Sequence, residues 1–190
     1  RVGNTAPDSA RAPSADVYRT FGARAIGFNN LGHVAFSGSL RQGATQTVAS
    51  AIFTDVNGGS SGGSLKRAFA AGDPVGNVYA LSDTGNTTPL AEFAGLNYSS
   101  GPAFGTVLLN QSDQMLFSAN LSSGGQTYFR TDPAGNLHRV VRIGDVAFSP
   151  DPLSIGGTGT STIAGVSNIA MNALGQVAFL SNITGPGVSV

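Results

Sequence analysis

Residues 29 to 36 read NNLGHVAF and residues 172 to 179 read NALGQVAF. A phrase stated twice in one chain restricts the fold more than any composition does, because it implies one structural unit used repeatedly. A third copy, NQSDQMLF, lies at residues 110 to 117, with Asn110 and Phe117 in register with the outer copies. The repeat positions are therefore Asn29, Gly32, Ala35 and Phe36, then Asn110, Asp113 and Phe117, then Asn172, Gly175, Ala178 and Phe179.

The pattern predicts a turn followed by a strand. Asn at the first position of a type I turn bonds its own backbone, and Gly at the fourth accepts a positive φ, which Asp113 also tolerates. After the turn, Val34 and Phe36 alternate with His33, Ala35 and Ser37, as Val177 and Phe179 alternate with their neighbours. The residues before each turn are apolar at alternate places, with Ile26 and Phe28, Val107 and Leu109, or Ile169 and Met171. Downstream come AIFTDVNGG (51–59) and TYFRTDPAGN (127–136), then LKRAFAAGDP (65–74) and LHRVVRIGD (137–145). Each reads as a strand closed by a turn, and no 3.6-residue apolar period interrupts them. The expected fold is all-β, of antiparallel repeat units that are propeller-blade-like or packed as a β-sandwich.

The units are cut out of phase. Arg1-Val2-Gly3-Asn4 resembles Arg142-Ile143-Gly144-Asp145, where a third strand stops, and only eleven residues follow NALGQVAF. This predicts an extended N-terminal arm over residues 1–20 and one β-repeat domain over 21–190, with two complete units and a partial third. A propeller needs about four blades or more, so one such chain does not close one. The start on Arg1, with no apolar signal core, is the expectation for a processed or trimmed chain.

Ten Lys and Arg balance ten Asp and Glu, which speaks against nucleic acid as a partner, since phosphate binding needs clustered positive charge. No apolar run reaches the roughly 18 residues of a spanning helix, so membrane insertion is not expected. Charged residues make up 11 % of the chain, against about 25 % in ordinary soluble domains. Cysteine is absent, which removes disulfides and thiolate metal sites. Asn86, Asn97, Asn110, Asn120 and Asn182 begin Asn-X-Ser/Thr sequons and are candidate glycosylation sites.

NNLGHVAF and NALGQVAF match the NxxGxxAF tandem repeat of a family of bacterial secreted proteins with varied C-terminal anchors, the choice-of-anchor type. The middle copy departs from it at Asp113 and Leu116. The resemblance implies a secreted, extracellular or cell-surface β-repeat protein. It assigns no chemistry.

The residues also offer little chemistry. Glu92 is the only glutamate, so paired-carboxylate glycoside cleavage would have to rely on Asp. Asp73 and Asp145 recur after Gly72 and Gly144, which is a turn role repeated in each unit. His33 and His138 are the only histidines, and Gln114 and Gln176 stand where His33 stands. DVNGG lacks the later acidic ligands of a calcium loop, and GGTGTS (156–161) lacks the lysine of a phosphate cradle. No catalytic, cofactor-binding or metal site is expected, and the chain does not read as an enzyme. The phenylalanines at 21, 28, 36, 53, 69, 117, 129 and 179 read as core, and Tyr18, Tyr79, Tyr98 and Tyr128 as sheet-edge residues.

The expected function is an extracellular structural subunit whose partners are copies of itself, joined head to tail into a filament or surface polymer by strand exchange of the arm. The alternative is a secreted or cell-surface module that binds a glycan or another ligand through loops such as 83–89 and 149–161.

Overall fold

The computed structural model describes residues 16–42, 47–56, 65–71, 79–80, 104–121, 125–147 and 161–185. Within them every regular element is a strand: β1 (Asp16–Phe28), β2 (Val34–Gln42), β3 (Thr47–Thr54), β4 (Lys66–Ala70), β5 (Tyr79–Ala80), β6 (Phe104–Leu109), β7 (Met115–Asn120), β8 (Gln126–Thr131), β9 (Leu137–Arg142), β10 (Thr162–Met171) and β11 (Val177–Thr184). They form three open sheets, ordered β1-β2-β3-β4, β5-β9-β8-β7-β6 and β10-β11. All neighbours are antiparallel except the two-residue β5, which runs parallel to β9. Among the described residues no sheet closes into a barrel or a full propeller.

Each sheet carries one copy of the repeated turn, between β1 and β2, β6 and β7, or β10 and β11. All three first strands also shift register shortly before that turn, at Phe21/Ile26, Phe104/Val107 and Ser167/Ala170. The units are thus copies in backbone detail as well as in sequence.

The sheets stack as three layers, because a strand buries its alternate side chains only against another layer. Residues opposite one another in a ladder share a face. On the first sheet Ala35, Ile52 and Phe69 face the second, and meet Val107, Leu109, Phe117 and Phe129 there. Phe117 is fully buried, with the rings of Phe69, Phe104 and Phe129 at 5.0, 6.0 and 5.7 Å. Complete burial of such a ring stabilises the fold by about 3 kcal/mol. The other face of the second sheet carries Tyr128 and Val141 against Ile163, Val166, Ile169 and Phe179 of the third. β7 and β8 are therefore buried on both sides.

Gly27 permits the close approach of the first two layers. A Cβ placed on it would lie 2.6 Å from the Leu109 nitrogen, so any side chain would push β1 off β6.

Two expectations require correction. Phe28 is 68 % exposed, because it sits on the face of β1 that points away from the second layer. Tyr128 is buried, because β8 lies between β7 and β9 and has no free edge. Of the expected arm, residues 16–20 open β1 and pair with β2 in the same chain, while residues 1–15 lie outside the described residues.

Candidate functional site

The residues that the repeat singles out converge in a ladder of stacked turns. Each turn is built alike. Asn29 Oδ1 accepts the N–H groups of Leu31 and His33, both at 3.0 Å, and the Gly32 N–H returns to the Asn29 carbonyl at 3.1 Å. Asn110 Oδ1 accepts from Ser112 and Gln114, and Asn172 Oδ1 from Leu174 and Gln176. The fourth positions take positive φ, at 82° for Gly32, 60° for Asp113 and 77° for Gly175. Asp113 carries this conformation because its short polar side chain suits the left-handed region.

The side-chain amide nitrogen does a second job that local sequence does not announce. Asn29 Nδ2 donates to the Asn110 carbonyl at 3.0 Å, across 81 residues, and Asn110 Nδ2 donates to the Asn172 carbonyl at 2.9 Å, across 62. The oxygen of each Asn shapes its own turn, and the nitrogen holds the next one. The ladder has a direction, since amides donate toward the C-terminal layer and carbonyls accept from the N-terminal one.

Other contacts follow the same order. The fifth-position side chain stands over the fourth position of the next turn: His33 Nδ1 lies 2.7 Å from Asp113 Oδ1, and Gln114 lies against Gly175 so closely that a Cβ there would sit 2.5 Å from its Oε1. The same Asp113 oxygen accepts from Asn29 Nδ2 at 2.6 Å. The His33 hydrogen bond to Asp113, with the Asp113 and Asp55 charges, outweighs desolvation and raises the His33 pKa above its ordinary value. Ser112 Oγ donates to the Ala173 carbonyl at 2.8 Å, and Arg130 Nη1 to the Gly175 carbonyl at 2.5 Å. Asn29, Asn110 and Gln114 are all buried, so the bond from Asn29 to the Asn110 carbonyl is made away from water, where a polar group left unpaired is costly, whereas the Ser112 bond is exposed.

The turn between β8 and β9 uses the same chemistry outside the ladder. Asp132 Oδ1 accepts the Asn136 N–H, and Oδ2 accepts from Asn136 Nδ2 and faces His138 Nε2 at 3.2 Å. The Asn136 amide, His138 and the Asn136 and Ala134 N–H groups lower the Asp132 pKa to about 2. This explains His138 as a partner of its own hairpin.

Of the candidate glycosylation sites, Asn110 is corrected: it is 5 % exposed and its Nδ2 is committed to Gln114 and Asn172, so no sugar fits it in the folded chain. Asn182 is exposed on β11, Asn120 is half-buried at the end of β7, and Asn86 and Asn97 lie outside the described residues. The loops at 83–89 and at 149–160 also lie outside them. Among the described residues no group of three His, Asp or Glu comes together, and no helix is long and apolar enough to cross a membrane. Gln111, whose Oε1 accepts the Asn30 N–H at 3.0 Å, and Arg130 act between layers and follow no visible motif, whereas Gln114 holds the fifth repeat position that His33 and Gln176 share.

The pattern described as "Family of unknown function (DUF7453)" matches residues 1–190. Comparison with the curated proteins and with the solved structures gives no match.

Proposed function

The chain belongs to the DUF7453 family of unknown function, and on that premise we propose that it is an extracellular structural subunit that assembles head to tail into a filament or surface polymer. The edge of β11 carries this reading. In the first two layers the strand after the Asn turn is flanked by another, β3 along β2 over eight residue pairs and β8 along β7 over five. β11 holds the same place in the third layer, and among the described residues no strand lies along its outer edge. Exposed edges are ordinarily blunted by charge or proline, and residues 177–184 contain neither.

A strand from a second copy would satisfy that edge with main-chain hydrogen bonds. The segment before β1 is its proposed source, since Arg1-Val2-Gly3-Asn4 resembles the Arg142-Ile143-Gly144-Asp145 stretch at the end of β9, the third strand after the Asn turn of the second unit. A contact between two different surfaces extends into a linear polymer unless its rotation closes a ring. The low charge content and the NxxGxxAF resemblance support an extracellular place of action.

Negative-stain micrographs and sedimentation of the purified chain test the reading. Polymers are expected from the full chain, and folded monomers after deletion of residues 1–15. A full chain that stays monomeric at its highest soluble concentration overturns it.

A further inference from the structure

We propose that copies also meet end on through the ladder itself, the third layer of one copy stacking on the first layer of the next as the layers stack inside each chain. This rests on the head-to-tail reading above and names its contact surface.

Two internal joints repeat one pattern, and the ends of the stack hold its two unmatched halves. At one end the Asn172 amide donates, among the described residues, only to Gln176 Oε1, whereas its counterparts Asn29 and Asn110 each reach the next layer. At the other end the Asn29 carbonyl accepts, among the described residues, only the Gly32 N–H, whereas those of Asn110 and Asn172 each also accept an incoming amide. Gln176 is exposed, and nothing lies within 4 Å of a Cβ built on Gly32, while Gln114 closes over Gly175. An Asn172 amide on an Asn29 carbonyl, with Gln176 over Gly32, reproduces the second internal joint.

The apolar surfaces obey the same rule. Ile26 and Phe28 are 47 % and 68 % exposed, whereas Val107 and Leu109, at the same repeat positions of the second layer, are buried under the first. On the outward face of the third layer Ala178 is exposed where Ala35 and Leu116 are buried, and Leu180 is 62 % exposed where Ser37 and Ser118 are buried. Toward β3 the front face is already closed over Phe53, so the free apolar surface lies beside the first turn, where the ladder ends.

Charge completes the argument for a second copy. From Pro152 to Val190 the sequence has no Lys, Arg, Asp or Glu, so the outward face of β10 and β11 is uncharged, with Ala170, Ala178 and Leu180 exposed beside the polar Ser167, Asn182 and Thr184. An uncharged face of this kind suits the apolar surface that Ile26 and Phe28 leave exposed beside the first turn at the front of another stack. The polarity of the ladder permits back to front only.

Cross-linking tests the joint, aided by the absence of native cysteine. Internally, position 112 touches position 173 of the next turn, and the equivalent pair across the joint is Leu174 with Asn30. Leu174→Cys and Asn30→Cys are both at exposed positions, and a short thiol cross-linker should link the two variants when mixed and neither when alone. Leu180→Asp should abolish polymers while the circular dichroism of the folded monomer is retained. Polymers that survive Leu180→Asp and give no 30-to-174 link place the joint elsewhere and overturn this inference while the head-to-tail reading stands. Links between two Leu174→Cys chains overturn it as well. Monomers throughout overturn both.

Discussion

The second and third turns differ in a way opposite to their sequences. NALGQVAF keeps the full motif, yet Asn172 is exposed and, among the described residues, its amide reaches only its own turn. NQSDQMLF has lost both Gly and Ala, yet Asn110 is buried and takes part in bonds to layers on both sides. Motif fidelity therefore records the geometry of a turn, and burial records what is stacked on it. Asp113 shows why the middle copy drifts: layered between two others, it gives up glycine's freedom and gains a carboxylate that receives Asn29 and His33. The third turn carries the motif without a neighbour beyond it among the described residues.

Substitutions matched between layers sharpen this contrast. The largest difference is expected at the motif's last position. Phe117→Ala should destabilise the chain by about 4 kcal/mol, since three rings lose a fully buried partner, and Phe179→Ala, only partly buried, by about half as much. Urea unfolding of both variants measures this, and equal losses would erase the distinction between inner and outer layers.

Next come the ladder asparagines. Asn110→Ala strands the buried Gln114 N–H and the part-buried Ser112 N–H along with the Asn172 contact, for an expected loss of about 3 kcal/mol. Asn172→Ala leaves groups that water reaches, for an expected loss of about 1 kcal/mol in dilute solution.

The smallest effects are pH-dependent and separate the first joint from the second. A raised His33 pKa means that protonated His33 favours the folded state, so its contribution is complete below the unfolded value of 6.5 and is lost as pH rises through the folded value. Amide exchange around residues 29–33 should quicken over that rise, while residues 172–176, with Gln176 in place of histidine, should show no such step. Asp132 works in the other direction: its contribution is complete above the ordinary 3.8 and is lost as pH falls toward about 2, loosening the β8–β9 hairpin. An NMR titration that follows both regions reads both signs.

Much of the layer architecture was legible because period-two alternation and turn chemistry act locally. Val34 and Phe36 against Ala35 is visible in three letters, and so is the demand for Asn and Gly at a tight turn. What was not legible depends on partners far along the chain. The NxxG pattern explains the Asn oxygen completely, which leaves no sequence signal that the nitrogen also reaches a carbonyl 81 residues away. Phe28 and Leu109 hold one repeat position with one apolar character, and only the presence of a covering layer separates an exposed ring from a buried side chain. Tyr128 was misread for the related reason that edge or centre is a property of sheet order.

The central claim is that the three turns form one directional stack whose last place is unfilled among the described residues. Backbone hydrogen exchange of residues 172–176 as a function of protein concentration tests it most directly. In dilute solution these amides should exchange faster than those of residues 110–114, and they should slow toward the same rate as the chain assembles. Exchange at the third turn that is already as slow as at the second in dilute solution, or that ignores concentration while the chain polymerises, would contradict the account.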